Sequence, residues 1–107
     1  LSPTVIRAPV FFGTVLEMYF ETEIQLPLTQ LESVLENAKG LEVFAKHGDY
    51  PTPVVEAANH DPVYVGRIRA DLTQPNGHHL WLVSDNVRGA ALNSVQIAEL
   101  LVQTGLK

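Results

Sequence analysis

The side chains best able to do chemistry are Arg7, the glutamates Glu17, Glu21 and Glu23, the pair Arg67 and Arg69, the histidines, and Ser84 and Ser94. Arg7 interrupts the apolar run Val5–Phe12. A guanidinium is costly to bury unless it meets an anion. Arg7 is therefore either a fork for a carboxylate or phosphate, or an edge-strand arginine whose head stays in water. The pattern leaves both readings open.

The three glutamates share one face of a strand pattern. Paired carboxylates do acid–base work when one is held protonated near neutrality. The preferred reading is the solvated side of an amphipathic strand, because glutamate is mostly exposed. Arg67 and Arg69 likewise point one way, and a charged strand face pairing with neighbouring acids is the better reading. Adjacent residues on a strand point to opposite faces, so His78 and His79 cannot hold one ion there. His47 and His60 fall in loops beside aspartates. No histidine pair has HxH or HxxxH spacing, so no metal site is expected and solvated loop histidines are the better reading. Ser84 and Ser94 lack an evident base and a GxSxG elbow. No GxGxxG or Walker loop provides a phosphate cradle. The sequence has no cysteine, which removes disulfides, thiolate zinc sites and a cysteine nucleophile together, and fits a cytoplasmic protein.

These groups must be carried by a single domain, since the chain has 107 residues. No apolar run is long enough to span a bilayer, so no membrane partner is expected. The formal net charge of −5 and scattered basic residues argue against nucleic acid, whose phosphates need a basic face. The start, Leu1-Ser2-Pro3, has neither an initiator methionine nor a signal-peptide pattern, and is expected to belong to a piece of something longer.

The run Val5–Phe12, broken by Pro9, predicts an edge or interrupted strand. Val15–Ile24 alternates, with Leu16, Met18, Phe20 and Ile24 on one side. Pro27–Lys39 predicts a helix, with Thr29 and Glu32 as a capping box, a stripe of Leu31, Val34, Leu35 and Ala38, and Gly40 as its stop. Leu41–Ala45 reads as a short strand and Lys46–Pro53 as a loop. Val54–Ala58 is either a helical turn or extended. Val63–Leu72 and His79–Ser84 flank the turn signal Pro75-Asn76-Gly77 and form a hairpin. The first of these strands should place Tyr64 and Ile68 on one face and its arginines on the other. A closing helix covers about 89–104. The fold class is α+β, a largely antiparallel or mixed sheet with two main helices. Such a sheet has one face poorly covered, which marks an interface.

Several segments, in this order, resemble the C-terminal domain of aspartate-semialdehyde dehydrogenases: Arg7–Gly13, Tyr50–Pro53, Val65–Arg69, Asp85-Asn86 and Gly89–Glu99. The resemblance extends from about Val5 to Leu101. It implies the later half of a dimerisation domain with the fold of the glyceraldehyde-3-phosphate dehydrogenase-like C-terminal domain, in a longer two-domain protein. It also implies a homodimer through the sheet and packing on an N-terminal Rossmann domain. That absent domain would bind NADP, so no cofactor is expected for this chain alone. Family members use a cysteine nucleophile and phosphate in lysine, threonine and methionine biosynthesis.

By position, the resemblance makes Arg7 the substrate-carboxylate arginine and Asn86 a cofactor contact near the nicotinamide. The family's catalytic histidine falls at Thr14, whose hydroxyl cannot exchange protons near neutrality. Val15 and Leu16 replace more polar residues of the same loop. No catalytic residue is therefore expected, as in non-catalytic Usg-type paralogues. An active NADP-dependent dehydrogenase and a pure interaction module are the alternatives.

Overall fold

The computed structural model describes residues 1–44 and 49–105. His47, most of the predicted loop's first half and the end of the predicted strand at Ala45 lie outside them. The elements in chain order are β1 (Thr14–Glu21), α1 (Leu28–Glu36), β2 (Leu41–Val43), a π-helical turn (Pro53–Ala57), β3 (Val63–Ala70), β4 (Gly77–Ser84) and α2 (Asn86–Gln103). The strands form one mixed sheet in the order β1-β4-β3-β2. β1 and β3 both run antiparallel to β4, while β2 lies parallel to β3. The α+β class and the hairpin follow the sequence expectation.

Alternation along the strands gives each sheet face its own small core. On one face Leu31 of α1 packs with Val65 and Leu80, and Phe20, Leu28, Leu35, Ile68 and Leu82 join them. On the other, Ala57 of the π-helical turn packs with Tyr64 and Val83, flanked by Phe44 and Trp81. The turn is fixed by Thr52, whose hydroxyl accepts from Val55 N at 3.3 Å. The Trp81 indole donates to Pro51 O at 3.0 Å, which holds the preceding loop on the same face.

Several expectations are corrected. Val5–Phe12 forms no strand; it is an exposed segment leading into β1, and Pro9 within it has no N–H to give a ladder. The Thr29/Glu32 capping box does not form, because α1 begins at Leu28 with Pro27 as its N-cap. Pro27 O accepts from Gln30 N and Leu31 N, and the earlier start brings Leu28 into the core stripe. Val34 is exposed, and Gly40, at φ +81°, turns the chain into β2 after the helix has already ended. In β3 a bulge between Gly66 and Arg69 adds a residue, with Arg67 in the left-handed region at φ +53°. That extra residue shifts the alternation, so Tyr64 and Ile68 serve opposite faces.

The closing helix begins at Asn86, earlier than periodicity suggested, and buries none of its residues. No helix among the described residues is long and apolar enough to cross a membrane.

Candidate functional site

The corner between β4 and α2 is built around Asp85. This residue is nearly buried and stands at the N-cap of α2. Its Oδ1 accepts from Val87 N at 2.9 Å and Arg88 N at 2.8 Å, while Oδ2 accepts from Asn59 N at 2.9 Å. Those donors, the Arg88 amide foremost and the Asn59 amide next, hold the Asp85 carboxyl below the usual carboxylate range. One carboxylate thus starts the helix and fastens the loop after the π-helical turn to it.

Asn86 follows, exposed on the first turn of α2. Its Oδ1 accepts from Gly13 N at 3.3 Å. Gly13 has φ +105°, and a Cβ there would stand 2.7 Å from Pro53 Cβ. Only glycine suits this close approach. Thr14 comes next, the first residue of β1, paired with Ser84 of β4. Thr14 and Asn86 therefore flank one corner, although they were assigned from separate motifs. A cleft of about 310 Å³ opens there, lined by Phe12, Asn59, Asp85, Asn86, Val87 and Arg88. Arg7 lies on the exposed leading segment and does not line it. Arg7 makes no ion pair among the described residues.

A second polar cluster occupies the sheet face opposite α1. His79 of β4 stands between two carboxylates: its Nδ1 is 2.7 Å from Glu17 Oε1 and its Nε2 is 2.9 Å from Asp71 Oδ2. Asp71, with Glu17 second, raises the His79 pKa from its ordinary value. Asp71 is lowered in return, first by His79 and then by the hydroxyl and amide of Thr73 and the amide of Gln74. Arg69 Nη2 reaches Glu17 Oε1 at 3.4 Å. Nearby, the Tyr19 hydroxyl donates to Glu21 at 2.6 Å, which pushes its pKa up to about 12. A shallow cleft of about 350 Å³ beside the cluster is lined by Glu17, Tyr50, Arg67, Arg69 and Trp81.

The adjacent histidines do point to opposite faces, and His78 is not a solvated one. It is fully buried, stacked on Phe20 with centroids 5.4 Å apart, and its Nε2 lies 2.9 Å from Leu26 O. The His79 cluster was missed in sequence because Glu17, Asp71 and His79 meet only through strand register. Asp85 did carry a signal: an aspartate directly before a helical pattern is an N-cap. No group of three or more histidine, aspartate or glutamate side chains that could hold a metal ion occurs among the described residues.

Comparison with known proteins bears on this arrangement. The family model described as "Semialdehyde dehydrogenase, dimerisation domain" matches residues 1–89. An aspartate-semialdehyde dehydrogenase of Shewanella sp. (strain DB6705) is 49% identical over 104 residues, 96% of this chain and 31% of that protein. A USG-1 protein homolog of Pseudomonas aeruginosa is 46% identical over 104 residues, with the same 96% and 31% coverage. The crystal structure of aspartate semialdehyde dehydrogenase II complexed with ASA, from Vibrio cholerae, superposes with a TM-score of 0.82 at 45% identity, over 91% of this chain and 29% of that one. The chain thus spans about a third of the length of the relatives it matches. With the fold and these matches in agreement, the chain belongs to the aspartate-semialdehyde dehydrogenase family, and its residues 1–89 match that family's dimerisation domain.

Proposed function

We propose that the chain is the self-association part of a longer two-domain protein, forms a homodimer through its sheet, and lacks the family's acid–base group. The observation that carries the first part is strand β1. Val15, Leu16, Met18 and Tyr19 are 38%, 48%, 38% and 42% exposed, although they lie on a paired strand. Leu16 and Met18 lie on the α1 side of β1 and Val15 and Tyr19 on the other, and apolar side chains left uncovered on both faces of an edge strand mark a surface meant for another protein surface.

The second part rests on Thr14. It occupies the corner beside Asn86, where the family resemblance puts a histidine. A threonine hydroxyl neither accepts a thiol proton nor donates to a leaving group near neutrality. In this reading Arg7 meets a substrate carboxylate supplied with the rest of the protein, and α2 packs on an N-terminal Rossmann domain. That domain would bind NADP, which supplies hydride transfer when bound. Asn86 is the residue of this chain that would touch its nicotinamide end. This fits the corner, because Oδ1 of Asn86 is engaged by Gly13 while the exposed amide group lies on a residue that lines the cleft.

A second reading, a working dehydrogenase, is favoured by relatives such as the Shewanella protein, which carries the enzyme's name. Assaying the full-length protein with aspartate semialdehyde, NADP and phosphate separates the two. The proposed reading expects no turnover from the unaltered protein. Turnover with Thr14 in place would establish the second reading instead.

A further inference from the structure

His79 lies between acceptors on both sides. A neutral imidazole donates from one ring nitrogen and accepts at the other, whereas an ionised carboxylate only accepts. A neutral His79 would therefore aim a lone pair at a carboxylate oxygen 2.7 or 2.9 Å away. The imidazolium, with a proton on each nitrogen, satisfies both contacts. We propose that His79 works as a proton-operated clasp, fastening the edge strand β1 through Glu17 and the β3–β4 corner through Asp71 to strand β4.

The groups facing His79 are Glu17 and Tyr19 from β1, Arg69 from β3 and Asp71 from the corner, with Glu21 behind Tyr19. Arg69 opposes a second cation, and the two carboxylates outweigh it. The two arms of the clasp are unequal. Asp71 is fixed through its other oxygen, which accepts from Thr73 N at 2.8 Å, Thr73 Oγ1 at 2.7 Å and Gln74 N at 2.8 Å. Glu17 sits on the edge strand and shares its oxygen with Arg69. On deprotonation the proton leaves Nδ1 for solvent. Nε2–H stays on Asp71, and the bond to Glu17 is lost. Loss of protonation thus releases β1 selectively. If the chain self-associates through its sheet, as proposed above, the same step weakens the dimer; only this consequence rests on that reading.

The test is a pH titration of the chain with nitrogen-15 labelled histidine, followed by NMR and amide hydrogen exchange. Both His79 nitrogens should remain protonated past the ordinary imidazole midpoint of about 6.5. Above the transition the neutral ring should carry its proton on Nε2. Exchange of β1 amides, corrected for the intrinsic pH dependence, should rise about tenfold through the same step, the scale of one charged hydrogen bond. A Glu17→Gln variant should lower the midpoint and remove the step in β1 exchange while Nε2–H is kept. A ring already neutral below the ordinary midpoint, an Nδ1–H tautomer, or a titration that leaves β1 exchange unchanged would each overturn the clasp. Sedimentation at both ends of the titration separates the consequence: no dimer at either pH overturns the self-association reading, while a titrating β1 still supports the clasp.

Discussion

The Asn86 carboxamide accepts the Gly13 amide at 3.3 Å, so the first turn of α2 is tied to the corner from which β1 departs. The tie joins residues 73 positions apart and sets Thr14 beside the helix start. Removing it by Asn86→Ala should cost about 0.5 kcal/mol, the low end for a hydrogen bond on an exposed site. Gly13→Ala should cost more, about 1–3 kcal/mol, because the new Cβ meets Pro53 and the backbone conformation is strained for any other residue. Urea unfolding of the two variants would check the order.

Asp85 joins three backbone amides, and its loss should be felt both at the helix start and at the Asn59 loop. Asp85→Ala should lower Tm by several degrees, and Asp85→Asn by less, because asparagine caps well but keeps only one accepting oxygen. The acid limb follows from the lowered carboxyl. Its contribution is complete above the ordinary aspartate value of about 3.9 and is lost as pH falls through the folded value. Asp71, also lowered, adds to the same limb. Thermal melts from pH 5 down to pH 2 should therefore decline less steeply in Asp85→Ala than in the unaltered chain.

The alkaline limb has the opposite sign. The folded state raises the His79 pKa, so its contribution is complete below about pH 6.5 and is lost as pH rises through the folded value. His79→Gln should flatten that decline. Melts from pH 6 to pH 9 measure it directly, and a variant that still loses stability over this range would place the titrating group elsewhere.

Much of the framework was legible because its signals are local. Pro75-Asn76-Gly77 between two β-rich runs is enough to fold the β3–β4 hairpin. What stayed hidden depends on distance or on the absence of a marker residue. The β3 bulge has an arginine, not a glycine, in the left-handed position, and the one marker beside it, Gly66, equally serves the close approach of Pro51. Val5–Phe12 has strand composition but pairs with none of the four strands, and Pro9 interrupts it. Of the candidate site, Thr14 and Asn86 were found through motif resemblance, and their approach became visible only with the fold. The Glu17–His79–Asp71 cluster needed the register of β1 on β4 and the position of the hairpin corner.

The most direct test of the central claim is sedimentation equilibrium of the chain, with circular dichroism to confirm that it is folded. The account predicts a monomer–dimer equilibrium at micromolar concentration, with an interface above about 1,000 Å². Charged replacements at Leu16 and Tyr19 should shift it toward monomer without unfolding the chain, since both side chains are exposed. A folded chain that remains strictly monomeric up to about 100 μM, a concentration at which even a weak specific interface is populated, would contradict it.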